Sequence, residues 1–390
     1  MTDVTFVHDH KVIISKGNIY SPGGLSANLI KSYQECFGNL IICSRVTEAS
    51  AEGANLLGGD ELFHEKFPDV LGADLFKFFK AYKAVKRACA KSDIVIARLP
   101  SIAGLMACWY KRNSKQNLIV ELVGCPYDSY RLVAGIKGKL LAPVLYILVR
   151  YFVKTGANVS YVTQTFLQNR YPTNAENILS ASDVIITLNS DVHAKRVQQL
   201  KLSNFNTLKL GMIGNYNVPY KGYHTALKTL QYLERYYPGV YSLDLVGGGT
   251  QNKIMDQAKR LGVNHCINFC GVLSFPEKIF SWLDTVDIFL QPSETEGLPR
   301  ALIEAISRGC PAVGSNVGGI PELLGNDMII EPGDHIRLAK IILELSSNSA
   351  LIEASNKSFE RAKNYEYSAL KLKRDVFYRE VKEGTFGEKI

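Results

Sequence analysis

Residues 286–309 read VDIFLQPSETEGLPRALIEAISRG. The apolar run up to Pro292 has the length and composition of a buried strand, SETEG reads as a loop, and RALIEAISRG has helical periodicity that Gly309 ends. Pro299 suits a helix's first turn, where its missing N–H would be unpaired anyway. On this reading Glu296 lies on the loop at the strand's C-terminal end, and Glu304 lies one to two turns into the helix. A strand, a loop and a helix in that order are half of a βαβ unit.

The same grammar extends in both directions. In the second half the strand-like runs are 208–215, 241–249, 264–271, 286–292 and 311–316, with helices starting near 222, 250, 275, 299 and 319. The first half has strand-like runs at 4–8, 39–44, 92–98, 117–123 and 158–163, separated by helical patterns such as GLSANLIKSYQECF and IAGLMACWYKR. Alternating strands and helices predict parallel sheets covered on both faces. The polar stretch 200–207 reads as a linker. The expected organisation is an N-terminal αβα domain over 1–203, a C-terminal one over 204–364, and a final helical segment, 365–390, that packs back on the first. Ligands of such sheets sit at strand C-termini, here facing a cleft between the domains.

Composition agrees with a folded protein of two ordinary domains: 390 residues, 46% hydrophobic and 21% charged. The net charge of +8 is uneven, because residues 1–200 hold 23 Lys and Arg against 16 Asp and Glu. The first half is therefore the one to meet an anionic partner. Nucleic acid is not expected, since no helix-turn-helix, zinc finger or RNP-like string occurs. Eight scattered cysteines, without paired C-x-x-C spacing, read as small core residues in a reducing compartment. The N-terminus MTDVTFVHDH has no apolar leader-like run. A cytoplasmic location follows as the expectation.

The most hydrophobic window is GKLLAPVLYILVRYFVKTG, 138–156, whose apolar core before Arg150 is too short to cross a bilayer. Two readings stand: a buried helix, or an in-plane contact with the inner face of the plasma membrane. The second is helped by residues 76–91, where Lys77, Lys80, Lys83, Lys86, Arg87 and Lys91 recur beside Phe76 and Phe79. A helix of that kind lies on anionic lipid, or is a solvated face.

At the helix tip, the N–H groups of Gly297, Leu298 and Arg300 would gather at the positive dipole end, a ready anion site. Carboxylates on either side accept hydrogen bonds from vicinal hydroxyls. Phosphates and neighbouring hydroxyls together are the parts of a sugar nucleotide. The stretch 292–324, PSETEGLPRALIEAISRGCPAVGSNVGGIPELL, resembles the E-x7-E signature of retaining glycosyltransferases of family 4, which have the GT-B fold of two Rossmann-like domains facing a central cleft. The similarity is strong over 208–334 and weaker before 200, where SPGGLSANLI (21–30) resembles the glycine loop near the donor phosphates.

The resemblance implies roles. Glu296 would orient the donor sugar, Glu304 would accept from ribose hydroxyls, and Lys221 would counter the diphosphate as the glycosidic bond breaks. Gly23 and Gly24 would close backbone N–H groups on the phosphates. Relatives often carry an arginine where this chain has Asn215, so leaving-group stabilisation would lean on Lys221, with Arg300 near. A histidine of many relatives is replaced by the stretch Gly124–Asp128, and Asp128 and Arg98 are expected to take acceptor contacts. His8 and His10 read as structural, Gly247–Gly249 as a tight turn, and Glu322 as a helix-start residue or, by the resemblance, a secondary residue near the donor base. No Asp-x-Asp motif occurs, and such enzymes need neither metal nor cofactor. The expected activity is transfer of a sugar from a UDP- or GDP-linked donor to a hydroxyl of a sugar or lipid-linked oligosaccharide in surface-polysaccharide synthesis. A nucleotide-sugar epimerase and a catalytically silent binding protein are the alternatives.

Overall fold

The computed structural model of the protein describes residues 3–23, 25–51, 54–59, 62–69, 75–133, 135–202, 207–274 and 276–387. The chain divides into two compact units, one of Met1–Tyr127, Leu140–Asp183 and Leu370–Ile390, the other of Asp128–Lys139 and Val184–Ala369.

The first unit is built on strands β1 (Val4–Ser15), β2 (Asn18–Ser21), β3 (Leu40–Val46), β4 (Asn55–Gly58), β5 (Leu62–Lys66), β6 (Ile94–Leu99), β7 (Leu118–Leu122), β8 (Asn158–Tyr161) and β9 (Asn177–Ser180). Its parallel part runs β5-β3-β1-β6-β7-β8-β9. Every residue of β6 and β7 is buried, and both strands are apolar except for one charged residue each, Arg98 and Glu121, which pair with each other. β1 overruns the parallel sheet and folds back through Lys16 and Gly17, both at positive φ, into an antiparallel pairing with β2.

The second unit holds β10 (Leu208–Ile213), β11 (Tyr241–Val246), β12 (Ile267–Gly271), β13 (Ile288–Gln291), β14 (Ala312–Ser315) and β15 (Ile329–Ile330), all parallel in the order β12-β11-β10-β13-β14-β15. That is the doubly wound order, with its switch point between β10 and β13. Leu210, Leu243, Ile288 and Val313 from the sheet pack with Leu230 and Ile342 from helices into one core.

The units part at Asp183/Val184, whereas the linker composition pointed to 203. The cause is Arg196, on the helix Ser190–Leu202. Its buried guanidinium donates to the carbonyls of Leu283, Val286 and Arg308 at 2.6, 2.9 and 2.8 Å, three acceptors of the second unit. His193 on the same helix stacks on Phe359, ring centroids 4.3 Å apart. At the other end of the chain the helix Tyr367–Gly387 joins the first unit from Leu370 onward. There Tyr378 packs on Tyr33 and Phe37, and Lys371 pairs with Glu35 at 3.3 Å.

All of the window 138–156 but its last residue lies in the helix Gly135–Thr155, and a fully buried helix is not what forms. One stripe, including Ala142, Leu145, Val149 and Phe152, is buried; Leu140, Val144, Ile147 and Tyr151 are exposed. None of the described helices is long and apolar enough to cross a membrane. None of the eight cysteines is in a disulfide, and six of them are buried.

Candidate functional site

In the second unit the C-terminal ends of β10, β13 and β14 lie side by side, and the loops that follow them make the site. Lys221 ends the short turn Pro219–Lys221 after β10. The next residue, Gly222, has φ +79°, and a Cβ there would stand 1.9 Å from the Pro292 carbonyl oxygen. Only glycine lets the lysine turn press this closely on the end of β13. A second tie is the Glu294 N–H, which donates to the Tyr220 carbonyl at 2.8 Å.

The consequence is a fixed carboxylate. Glu296 Oε1 accepts from Lys221 Nζ at 2.8 Å, Ser293 Oγ at 2.8 Å and Gln291 Nε2 at 2.9 Å. Its Oε2 accepts no hydrogen bond among the described residues. The Glu296 backbone is clamped from the far side, where the Gly319 N–H donates to the Gly297 carbonyl at 2.6 Å. Gly318, at φ +57°, leaves room that a Cβ would not, since it would meet the Glu296 carbonyl oxygen at 2.2 Å. One carboxylate oxygen is thus anchored and the other is open to a hydroxyl. The ammonium uses one of its donors on Glu296 and can offer others to an anion.

Pro299 is the N-cap of the helix Arg300–Ser307, one position earlier than the first-turn place expected of it; its extended ψ of 109° stops it from being helical. Its carbonyl accepts from Leu302 and Ile303, while the first N–H groups of the helix have no partner within it. Leu298 is buried and Gly297 half-buried beside this tip. Arg300 begins the helix, half-buried and without an ion pair among the described residues. Glu304 follows one turn later, also half-buried.

Asn215 shapes rather than charges the site. Its Oδ1 accepts the Asn217 N–H at 2.9 Å and its carbonyl accepts the Val218 N–H at 3.0 Å, an Asx-type turn that aims the chain toward Lys221. Gln291 and Ser293, the anchors of Glu296, were not singled out by the sequence. The one signal was a polar residue closing an otherwise apolar strand. Gln291 Oε1, Ser315 Oγ and Tyr223 OH are buried near these strand ends with no hydrogen-bond partner among the described residues.

In the first unit Gly23 has φ +145° and open space where a Cβ would stand; Gly24 lies outside the described residues. Ser21 Oγ accepts the Gly23 N–H and donates to the Gly23 carbonyl, so the third contact, 2.8 Å from His10 Nε2, has the imidazole as donor. Burial, with help from Arg98, His10 and Arg45, pushes the His8 pKa well below the usual range and keeps that ring neutral. Asp9 accepts the N–H groups of Ile102 and Ala103 at 2.7 and 3.0 Å and so caps the helix Ile102–Tyr110.

Arg98 does not have the freedom an acceptor contact needs. It is buried, with Glu121 at 2.7 Å and Asp183 at 2.5 Å, and Tyr33 completes the Glu121 carboxylate at 3.0 Å. Two carboxylates make its cost of burial bearable and fix it in place. Asp128 lies half-buried in the first turn of the helix Pro126–Val133. Among the described residues one cluster has metal-type ligands, Glu234, His265 and Cys266. Glu234 there is engaged by His265 at 3.1 Å and by the Gly239 N–H, and it lies in the last turn of the helix Tyr223–Tyr236, at the opposite end from Lys221.

The family model for glycosyl transferases group 1 matches residues 207–348, the segment that carries Lys221, Glu296 and Glu304. Protein CapJ of Staphylococcus aureus is 31% identical over 345 residues, covering 86% of this chain and 84% of that one. The amylovoran biosynthesis glycosyltransferase AmsK of Erwinia amylovora is 34% identical over 140 residues, a third of each chain. Among solved structures, sucrose-phosphate synthase from Thermosynechococcus elongatus superposes with a TM-score of 0.70 at 14% identity, over 98% of this chain and 99% of that one. Anabaena HepE in complex with UDP-glucose does so with a TM-score of 0.65 at 18% identity, over 98% and 99%.

Proposed function

Since the chain belongs to the glycosyl transferases group 1 family and has the GT-B fold, we propose that it is a retaining glycosyltransferase of family 4, acting through the E-x7-E pair Glu296 and Glu304. The donor is a nucleotide-diphosphate hexose, UDP- or GDP-linked. The acceptor is a hydroxyl on a lipid-linked intermediate of surface polysaccharide, met at the cytoplasmic face of the membrane. CapJ and AmsK, as relatives with capsule- and amylovoran-type names, support the polysaccharide assignment.

The observation that carries the reading is the 2.8 Å contact of Lys221 Nζ with Glu296 Oε1 beside the tip of the helix Arg300–Ser307. A donor diphosphate at that tip takes the unpaired helix N–H groups and the ammonium. Glu296 Oε2 then accepts from the sugar hydroxyls, and Glu304 from the ribose. As the glycosidic bond breaks, charge grows on the leaving phosphate oxygen, and Lys221 is placed to stabilise it in the transition state more than in the ground state. The departing oxygen takes the acceptor's proton on the same face, which retains the anomeric configuration. Electrostatics from Lys221, Arg300 and the helix replace a metal in this scheme.

Donor turnover by the purified protein tests the reading. UDP- and GDP-sugars are incubated with and without a polyprenyl-phosphate-sugar acceptor, and nucleotide release and product anomer are followed. Release lost in Glu296→Gln, with an α-linked product from an α-linked donor, is the expected result. No turnover of any donor by the parent protein would reject it.

A further inference from the structure

The first unit carries an apolar face that its own core leaves uncovered. The helices Leu75–Ala90 and Ile102–Tyr110 and the segment 140–155 surround a groove of about 480 Å³, lined by residues that include Phe78, Phe79, Trp109, Leu141, Leu145 and Leu148. Around it the large side chains point outward: Phe76 is 82% exposed, Leu140 72% and Ile147 64%. Exposed apolar surface on this scale marks a contact site rather than a scatter of single residues. Trp109 is half exposed at the rim, with the Arg112 guanidinium 4.5 Å above its ring.

Charge says what the contact is with. Leu75–Ala90 carries four lysines and an arginine and no acid; Ile102–Tyr110 carries no charge; 140–155 carries Arg150 and Lys154 and no acid. Lys80, Lys83 and Lys86 are exposed. A second copy of this chain would bring an equally basic face against it, which electrostatics opposes. A bilayer with anionic headgroups matches both parts, cations in the headgroup layer and aromatic and aliphatic side chains below it.

We propose that this face seats on an anionic membrane and that a lipid hydrocarbon chain enters the groove. The inference deepens the proposed transfer, since it gives the acceptor a lipid that this unit can hold, and it rests on that reading for what the lipid carries. The aromatic rim and Leu140 and Ile147 embed at the interface, while the groove accepts a single chain lengthwise between the three segments.

The chain has two tryptophans, and Trp282 is buried in the second unit with its Nε1 donating to Asp244. A vesicle-dependent change in tryptophan emission therefore reports Trp109, and Trp109→Phe removes it. Vesicles of phosphatidylcholine, with or without phosphatidylglycerol and with quenchers placed along the acyl chain, are titrated with the full-length protein. The expected result is a blue shift and acyl-depth quenching that need the anionic lipid, and binding weakened roughly tenfold by molar salt. Combined Phe76→Ser, Phe79→Ser and Ile147→Ser substitutions, all at exposed sites that leave the core intact, should abolish both signals while stabilisation by nucleotide is kept. No vesicle-dependent change at low salt overturns the proposal, as does a blue shift that follows protein concentration without vesicles, which would place a second copy on the face. Membrane binding in a protein that turns over no donor would sink the transfer and leave the docking standing.

Discussion

Lys221 Nζ and Glu296 Oε1 are 2.8 Å apart, although 75 residues separate them, and the contact exists because Gly222 lets one loop lie against the end of β13. The pair is only partly exposed, so neither charge is fully screened by water. In the proposed transfer, a cation held by a carboxylate before the donor arrives would be preorganised for the charge that develops on the leaving phosphate.

Replacing Lys221 by Ala should therefore lower kcat by about 10²–10³, the size of effect seen when one electrostatic donor is removed from a transition state. KM for the donor should change much less. Steady-state kinetics on the turned-over donor checks this, and an unchanged kcat would remove Lys221 from the chemistry.

Gly222→Ala and Gly318→Ala should each destabilise the second unit. Both place a Cβ against a backbone oxygen, at 1.9 and 2.2 Å, and both hold a positive φ that alanine resists. The strain costs about 1–3 kcal/mol each, more where the loop cannot shift. Urea unfolding of the variants measures it, and wild-type midpoints would show that the loops are looser than the geometry says.

Arg98→Met should be among the most damaging changes in the first unit. It leaves Glu121, which is buried, and the nearly buried Asp183 without their cation. Removing one partner of a buried charge set costs about 3–5 kcal/mol. A variant as stable as the parent in urea would show that the two carboxylates take up protons or water without difficulty.

Acid should weaken the first unit in part through His64. Burial lowers its pKa from the ordinary 6.5 to about 4, while its Nε2 stays bonded to Ser44. Between those two values the unfolded chain binds a proton that the folded chain does not, so stability falls as pH drops from about 6.5 toward 4. His64→Asn should flatten that slope when midpoints are measured across the window; an unchanged slope would assign the effect to other groups, His8 first.

The central strands were legible because burial on both faces writes a nearly continuous hydrophobic run, as in β6 and β7, each broken by one charged residue. β2, β4, β9 and β15, of two to four residues, are only partly buried and so lack the mostly apolar run that the comparably short but fully buried β13 and β14 show, and β5 (LFHEK) is too polar. The helix Gly135–Thr155 is apolar nearly all round, so its sequence could not say which stripe stays exposed. Lys221 and Glu296 were legible through the family resemblance. Their contact, the Gln291 and Ser293 anchors, and the pairing of Arg98 with Asp183 across 85 residues were not, because each depends on distant segments meeting. Arg98 looked available in sequence for the same reason.

The most direct test of the account is thermal unfolding of the protein with UDP, GDP and ADP, each compared in the parent and in Glu304→Ala. A nucleotide at about 100 times its Kd adds roughly 2.7 kcal/mol, a rise of a few degrees in Tm for a two-state unit of this size. The account predicts stabilisation by one uridine or guanosine diphosphate that Glu304→Ala removes. No stabilisation by any of them, or stabilisation that Glu304→Ala leaves intact, would contradict a donor nucleotide held at the tip of the helix Arg300–Ser307.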